Sequence, residues 1–169
     1  MRLYVMRHGP AEDRAPSGRD FDRALIPAQR GVVDQAARAL CAVRDPSTLG
    51  AGPIRVLASP FRRARETAEI VAGALSLHAP ARVEVELHDD LAADEPLPLD
   101  LVRTLADAGT DALLVGHQPA VEELVRWLAA PARVALPGGF RTAFIVALER
   151  VAPDRWHAAA VVDPSPAEG

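Results

Sequence analysis

Near its start the chain reads Leu3-Tyr4-Val5-Met6-Arg7-His8-Gly9-Pro10, an apolar run of strand length followed at once by a cationic, polar turn. Polar or cationic residues directly follow an apolar run twice more, at Ser59-Pro60-Phe61-Arg62-Arg63-Ala64 and at Gly116-His117-Gln118-Pro119. The carboxyl ends of parallel strands share one edge of a sheet, and open α/β sheets bind ligands at that edge. We therefore expect these three distant segments to converge on one site.

Apolar, strand-like runs alternate with helical patterns along the chain, which is typical of an α/β fold with a largely parallel sheet. Most of the runs are continuously hydrophobic, as expected for strands covered on both faces. Only Glu149–Arg155 separates the last two strands, so we expect a hairpin that forms an antiparallel edge of the sheet. The predicted strands are Leu3–Met6, Ile54–Ala58, Arg82–Leu87, Ala112–Val115, Thr142–Leu148 and Trp156–Val162, and the predicted helices are Ala28–Val43, Phe61–Leu75, Leu99–Ala108 and Val121–Ala129.

Length and composition narrow the class of protein. The chain has 169 residues, of which 49% are hydrophobic and 25% are charged, so it can bury a core and is not a disordered chain. We expect one domain over residues 1–162 and a flexible tail over 163–169. The apolar runs are too short for a signal peptide or a membrane span, so we expect a cytoplasmic protein that does not bind membranes.

Individual residue types exclude further classes. All 19 basic residues are arginine, which excludes a lysine Schiff base, a P-loop lysine and a lysine general base. The net charge of −4 argues against a nucleic-acid binder. Cys41 is the only cysteine, so neither an internal disulfide nor a thiolate zinc site can form.

Together, the three segments would place four side chains at the predicted site: Arg7, His8, Arg62 or Arg63, and His117. Two guanidiniums and two imidazoles make a cationic pocket suited to phosphate, since the planar fork of arginine contacts two phosphate oxygens at once. Ser59 before a proline is expected to cap a helix whose free amide groups also favour an anion.

The spacing of charges indicates which arginine faces the site. Arg62 and Arg65 each have a glutamate four residues later, so both can lie on the surface in ion pairs. Arg63 has Thr67 at that distance, and a cation in the first turn of a helix opposes the helix dipole unless an anion is near. Arg63 is therefore the predicted phosphate ligand.

Several phosphate chemistries can be tested against the sequence. No arginine stands at the loop spacing that a cysteine phosphatase needs after Cys41. No pair of aspartates separated by one residue is followed by the threonine of an aspartyl-phosphate enzyme, and no His-Glu-x-x-His or HxH cluster supplies metal ligands. A histidine nucleophile remains. The plainer alternative, in which His8 and His117 are core or turn histidines, stays open on the sequence alone.

In combination and in order, the motifs resemble the histidine phosphatase superfamily. The residues that carry the resemblance are Val5-Met6-Arg7-His8-Gly9, Ser59-Pro60-Phe61 with Arg63-Ala64 and Thr67, and Val115-Gly116-His117-Gln118-Pro119. They are most similar to the SixA-type phosphohistidine phosphatases. Arg23-Ala24-Leu25 followed by Gly31 is also similar, although Ala24 and Ile26 depart from that family's pattern, and the similarity runs from Leu3 to about Leu148.

The resemblance implies a phosphoglycerate mutase-like, three-layer α/β/α sandwich with no metal or organic cofactor. It implies that His8 is the nucleophile that becomes phosphorylated, that Arg7 and Arg63 bind the phosphoryl group, and that His117 completes the pocket; Ser59 joins the predicted phosphate-binding set. A general acid is not assigned, and the candidates are Asp89, Asp90, Asp94 and Glu95.

The function predicted from these residues is a metal-independent phosphatase that acts on protein phosphohistidine. Its partner would be a phosphohistidine-bearing protein or a small phosphomonoester. Two alternatives stay open, a small-molecule phosphomonoesterase on the same scaffold and a non-catalytic phosphate-binding adaptor. The short segments that could rim the pocket, Asp13–Arg30 and Asp89–Asp100, favour an open site that a protein substrate can reach.

Overall fold

A computed structural model describes residues 1–44, 52–130, 136 and 139–164. In this part of the chain the strands are β1 (Arg2–Arg7), β2 (Ile54–Ala58), β3 (Val85–Leu87), β4 (Asp111–Gly116), β5 (Ile145–Ala152) and β6 (Arg155–Val162). The α-helices are α1 (Arg30–Val43), α2 (Arg62–Ser76), α3 (Leu99–Asp107) and α4 (Ala120–Leu128), and short 3-10 turns occupy Asp20–Asp22, Pro27–Gln29 and Asp89–Leu91.

The strands form one sheet in the order β3-β2-β4-β1-β5-β6. β1, β2, β3 and β4 pair in parallel, whereas β5 pairs antiparallel with β1 and β6 pairs antiparallel with β5. The predicted α/β fold with a mostly parallel sheet and an antiparallel edge is therefore confirmed.

Helices cover both faces of the sheet because the side chains of the central strands alternate between two cores. On one face, Leu3 and Val5 of β1 pack with buried residues of α3 and α4. On the other, Tyr4 and Met6 pack with buried residues of α1 and α2. This arrangement is the three-layer sandwich that the resemblance implied.

Three predicted strand boundaries were wrong by more than one residue. β3 is shorter than predicted because the Val83 amide donates to Ser76 Oγ at 2.9 Å, which draws this segment to the end of α2. β5 begins at Ile145, three residues after its predicted start, because Ala143 has a positive φ of 61°. It also extends to Ala152, so the hairpin turn contains only Pro153 and Asp154.

The predicted tail begins with an anchored residue. Asp163 forms an ion pair with Arg141. Residues 165–169 of the predicted tail lie outside the described residues. Within the part of the chain that is described, no helix has the length and apolar character needed to cross a bilayer.

The turn after β1 requires glycine. A Cβ atom at Gly9 would lie 2.4 Å from Val33 Cγ2 and 3.2 Å from Leu25 Cδ2, so no side chain fits between β1 and α1 there. The Gly9 amide also donates to Thr67 Oγ1 at 2.9 Å, and Thr67 Oγ1 donates to the Arg63 carbonyl at 2.7 Å. Glycine thus lets the turn pack directly against α2.

We expect Gly9→Ala to lower the free energy of unfolding by about 1–3 kcal/mol, because the added methyl group overpacks this contact. The measurement is chemical denaturation followed by circular dichroism. The matched control is Gly73→Ala in α2, where a Cβ meets nothing within 4 Å. Alanine should stabilise that helix by about 0.5–1 kcal/mol. Equal stability of the Gly9→Ala variant and the wild type would contradict the packing described here.

Candidate active site

The site lies at the carboxyl edge of the parallel strands, as the sequence predicted. The His8 amide donates to the Gly116 carbonyl at 3.1 Å, and the Ser59 amide donates to the Val115 carbonyl at 3.0 Å. These two bonds fasten the residues that follow β1 and β2 to the end of β4. Residues far apart in the sequence are thereby brought to one edge, beside His117.

His8 is buried, and both of its ring nitrogens have defined neighbours. Nδ1 lies 2.7 Å from the Gly9 carbonyl oxygen. A carbonyl oxygen can only accept, so Nδ1 carries the proton and Nε2 presents its lone pair. Arg63 Nε donates to His8 Nε2 at 3.3 Å, which places a guanidinium directly beside that lone pair.

His117 lies next to His8, with their ring centroids 5.1 Å apart. Its Nε2 is 2.8 Å from Ser59 Oγ, and the same hydroxyl accepts from the Phe61 amide at 3.2 Å. Among the described residues, His117 Nδ1 is buried without a hydrogen-bond partner. The arrangement that satisfies Ser59 best has its hydroxyl donating to Nε2, which leaves an Nδ1–H donor unused.

The predicted N-cap at Ser59 was wrong. α2 begins at Arg62, with Phe61 in the N-cap position and no side chain capping the helix. The Ser59 hydroxyl is not available to the helix because it lies between His117 and the Phe61 amide. The predicted phosphate-binding role of Ser59 stays a prediction, and its described contacts point to holding His117.

Two arginines flank the histidines. Arg63 is buried, and Arg7 donates through Nη1 to the Phe140 carbonyl at 3.1 Å. Within the described residues, Arg7 Nε is buried without a partner. Burial lowers the pKa of both guanidiniums, which nevertheless stay charged. Arg62 instead pairs with Glu66 at 2.8 Å, as its spacing predicted.

Asp20 is the site residue that sequence reasoning missed. It accepts from Arg63 Nη2 at 2.9 Å through its carboxylate and from Arg63 Nη1 at 2.9 Å through its carbonyl. Arg23 Nη1 donates to the same carboxylate at 2.7 Å. Burial alone would raise the pKa of Asp20, but the hydrogen bonds from Arg23 and Arg63 lower it overall. Arg63 therefore has an acidic partner, supplied from another element rather than from its own helix.

The net charge of the side chains at the site suits a ligand with two negative charges. Burial is the largest cause that lowers the pKa of His8 to about 4, and the charges of Arg63, Arg7 and Arg23 lower it further, although the Gly9 carbonyl opposes them. Burial and the His8 ring likewise lower the pKa of His117 to about 3. With both imidazoles neutral at pH 7, three guanidiniums and the Asp20 carboxylate leave two positive charges at the site.

The four candidates for a general acid lie apart from these contacts. Asp89 and Asp90 belong to the 3-10 turn after β3, and Asp94 follows with a positive φ of 69°. None of the hydrogen bonds described for the chain joins them or Glu95 to the two histidines. Asp90 does line a small cavity that His117 also lines.

Other regions of the described chain do not offer a comparable site. Within the described residues, no group of three histidine, cysteine, aspartate or glutamate side chains is arranged to hold a metal ion. A cavity of about 860 Å³ lies at the opposite edge of the sheet, between the end of α1, the end of α2 and the start of β2. Neither catalytic candidate histidine lines it.

Comparisons with known proteins agree with this architecture. No protein-family model matches the chain. An uncharacterised protein of Picosynechococcus is 36% identical over 124 residues, which are 73% of this chain and 70% of that protein. The structure of the protein histidine phosphatase SixA complexed with tungstate superposes with a TM-score of 0.78 at 24% identity, covering 97% of both chains. The proposed phosphohistidine phosphatase SixA of Agrobacterium tumefaciens superposes with a TM-score of 0.72 at 26% identity, covering 96% of this chain and 98% of that one.

The low pKa of His8 makes stability depend on pH. Between pH 6.5 and 4, His8 is protonated in the unfolded chain but stays neutral in the folded protein. The free energy of unfolding therefore falls as the pH falls. For His8 this loss is about 2–3 kcal/mol by pH 4. Urea denaturation at pH 7 and pH 4 should therefore show a smaller loss for His8→Asn than for the wild type. Equal losses in both proteins would contradict a neutral, buried His8.

Proposed function

This chain belongs to the histidine phosphatase superfamily and is an enzyme of that class; on that premise we propose that it hydrolyses protein phosphohistidine by transferring the phosphoryl group to His8 and then to water. The observation that carries the proposal is the geometry at His8 Nε2. Its lone pair is fixed by the Nδ1 contact with Gly9 at 2.7 Å and faces Arg63 at 3.3 Å. Nucleophile and phosphate ligand thus border the same space.

The first step is attack by His8. A neutral imidazole is a competent nucleophile, and the lowered pKa keeps His8 neutral throughout the physiological pH range. The Nε2 lone pair attacks phosphorus in line, a new P–Nε2 bond forms, and the bond from phosphorus to the leaving atom breaks. Water then attacks phospho-His8, the P–Nε2 bond breaks, and inorganic phosphate leaves.

Transition-state charge is stabilised by donors already in place. Arg63 exchanges its contacts with His8 and Asp20 for the equatorial oxygens, and the unused Nε–H of Arg7 and Nδ1–H of His117 supply further hydrogen bonds. Donors fixed in a buried site stabilise developing negative charge without reorganising, and loss of one typically costs about 10²–10³ in rate. Ser59 acts as a positioning residue that holds the His117 ring.

The leaving group favours a phosphohistidine substrate. An alkoxide needs a general acid, and none of the described hydrogen bonds joins any of the four sequence candidates to His8. Imidazole differs because solvent can protonate its second ring nitrogen, so that it leaves as a neutral molecule. The likeness to proteins described as SixA phosphatases supports the same substrate class. The half-exposed Asp20 at the rim is consistent with a site that a protein surface can reach.

The nucleophile can be tested directly. We expect His8→Ala to abolish hydrolysis of an aryl phosphate, and the wild type to yield a trapped phosphoenzyme that is labile to acid and stable to alkali. EDTA should leave the rate unchanged, since the proposed mechanism uses no metal. Persistent activity in His8→Ala, or loss of activity with the chelator, would refute the histidine-nucleophile mechanism.

The role of Arg63 as a phosphate ligand can be tested against Arg65 as a matched control. Arg63 is buried at the site, whereas Arg65 lies on the same helix with its side chain 46% exposed beside Glu69. Replacing Arg63 by alanine should lower kcat by about 10²–10³, and the same change at Arg65 should leave it near the wild-type value. Equal effects would show that general charge, rather than the placement of Arg63, controls the rate.

The substrate class is tested by comparing kcat/KM for a phosphohistidine-bearing protein, a phosphoserine peptide and sugar phosphates under the same conditions. We expect phosphohistidine to be turned over fastest, because its leaving group does not depend on a protein acid. Turnover of a sugar phosphate as fast or faster would favour the small-molecule phosphomonoesterase. Binding of phosphate without turnover of any of these substrates would favour the non-catalytic adaptor.

A further inference from the structure

We propose that Phe21, supported by Phe61, is a stacking platform for the ring that carries the phosphoryl group. The platform would make the enzyme prefer phosphoryl groups bonded to a planar ring, such as the imidazole of phosphohistidine, over phosphoryl groups without one. This inference rests on the proposed function. It adds a residue, Phe21, to which neither the motifs nor the mechanism assigns a role.

A row of rings leads outward from the nucleophile. The His8 and His117 centroids are 5.1 Å apart, His117 and Phe61 are 5.0 Å apart, and Phe61 and Phe21 are 5.0 Å apart. The row begins at His8, which is only 8% exposed, and ends at Phe21, which is 45% exposed. A phosphorylated group that enters from solvent along this row therefore has its carrier beside Phe61 and Phe21.

Phe61 connects the phosphate ligands to the platform. It meets His117 edge-on at an interplanar angle of 66°, and the Arg63 guanidinium carbon lies 5.0 Å from its centroid. Phe61 is thus occupied by the two proposed phosphate ligands and by Phe21. Phe21 offers more free surface to a substrate than the other rings of this row, since nearly half of it faces solvent whereas Phe61 is partly buried.

Phe21 is held in place rather than left to move with an exposed loop. It is the middle residue of the 3-10 turn Asp20–Asp22. Asp20 on one side accepts from Arg23 Nη1 at 2.7 Å, a bond that the proposed mechanism leaves in place, and Asp22 on the other accepts from Ser17 Oγ at 2.6 Å. An exposed aromatic ring whose neighbours are both fastened is preorganised for contact, so binding costs little ordering of the platform.

The energy of packing between aromatic rings sets the size of the expected preference for a substrate with a ring. Aromatic side chains pack in tilted or offset geometry at centroid separations of about 4.5–7 Å, and Phe21 and Phe61 already adopt a tilt of 52°. A third ring in similar contact with Phe21 would contribute about a 3- to 10-fold preference in kcat/KM. A carrier without a ring gains none of this stacking.

The test compares two P–N substrates, phosphohistidine, which carries a ring, and phosphoramidate, which does not. We expect Phe21→Ala to lower kcat/KM for phosphohistidine by about 3- to 10-fold and to change that for phosphoramidate by less than about twofold. Phe21→Tyr keeps the ring and should restore the preference for phosphohistidine. Leu77→Ala, at an exposed apolar residue at the far end of α2, is the control and should change neither value.

The outcomes separate this proposal from the proposed function. A parallel fall for both substrates in Phe21→Ala would overturn the platform, because it would show that Phe21 only supports Arg63 or the fold. An unchanged ratio of the two kcat/KM values would overturn it as well. Activity that survives in His8→Ala would instead refute the proposed function, whatever the effect of Phe21.

Discussion

The site depends on the parallel pairing of β1 and β2 with β4 at their carboxyl ends. The backbone bonds from His8 to Gly116 and from Ser59 to Val115, at 3.1 and 3.0 Å, decide which side chains meet. Once these ends are in register, His8 and His117 face each other from adjacent strands. Arg63 then reaches them from the first turn of the helix that follows β2. The chemistry is therefore a consequence of strand register.

A second constraint fixes His8, the proposed nucleophile, within that frame. Gly9 lacks a side chain, so the turn after β1 packs against α1 and bonds to Thr67 of α2. The same glycine supplies the carbonyl that orients the His8 ring. One residue thus sets both the position of His8 and its tautomer. Burial then keeps the imidazole neutral, at the expense of stability in acid.

Much of this could be predicted from the sequence because strands and helices here have strong local signals. Continuous apolar runs marked β1, β2 and β4, and the polar residues after each run indicated where the site would form. The choice of Arg63 over Arg62 followed from ion-pair spacing alone, and the structure places Arg63 beside His8. The pairing of Arg62 with Glu66 and the convergence of the three segments could be predicted because they rest on contacts close in sequence or on the geometry common to all parallel sheets. The phosphate-binding role of Arg63 stays a prediction.

The rest depends on contacts that no local pattern encodes. Asp20 pairs with Arg63 across 43 residues of chain, in a turn without helical or strand periodicity. The outward row of rings is likewise assembled from separate loops, so Phe21 carries no signal in sequence. At Ser59, two hydrogen-bond partners compete for one hydroxyl. The residue type and position favoured an N-cap, but the hydroxyl contacts His117 instead. Long-range hydrogen bonds overrode a local preference there.

The most direct measurement is a crystal structure of the protein with bound orthovanadate. We expect vanadium to lie in line with His8 Nε2, with its equatorial oxygens bonded to Arg7, Arg63 and His117 Nδ1, and with Asp20 released from Arg63. Vanadate bound at the opposite edge of the sheet, or held by the arginines with His8 Nε2 directed away from it, would contradict a phosphoryl site built around His8.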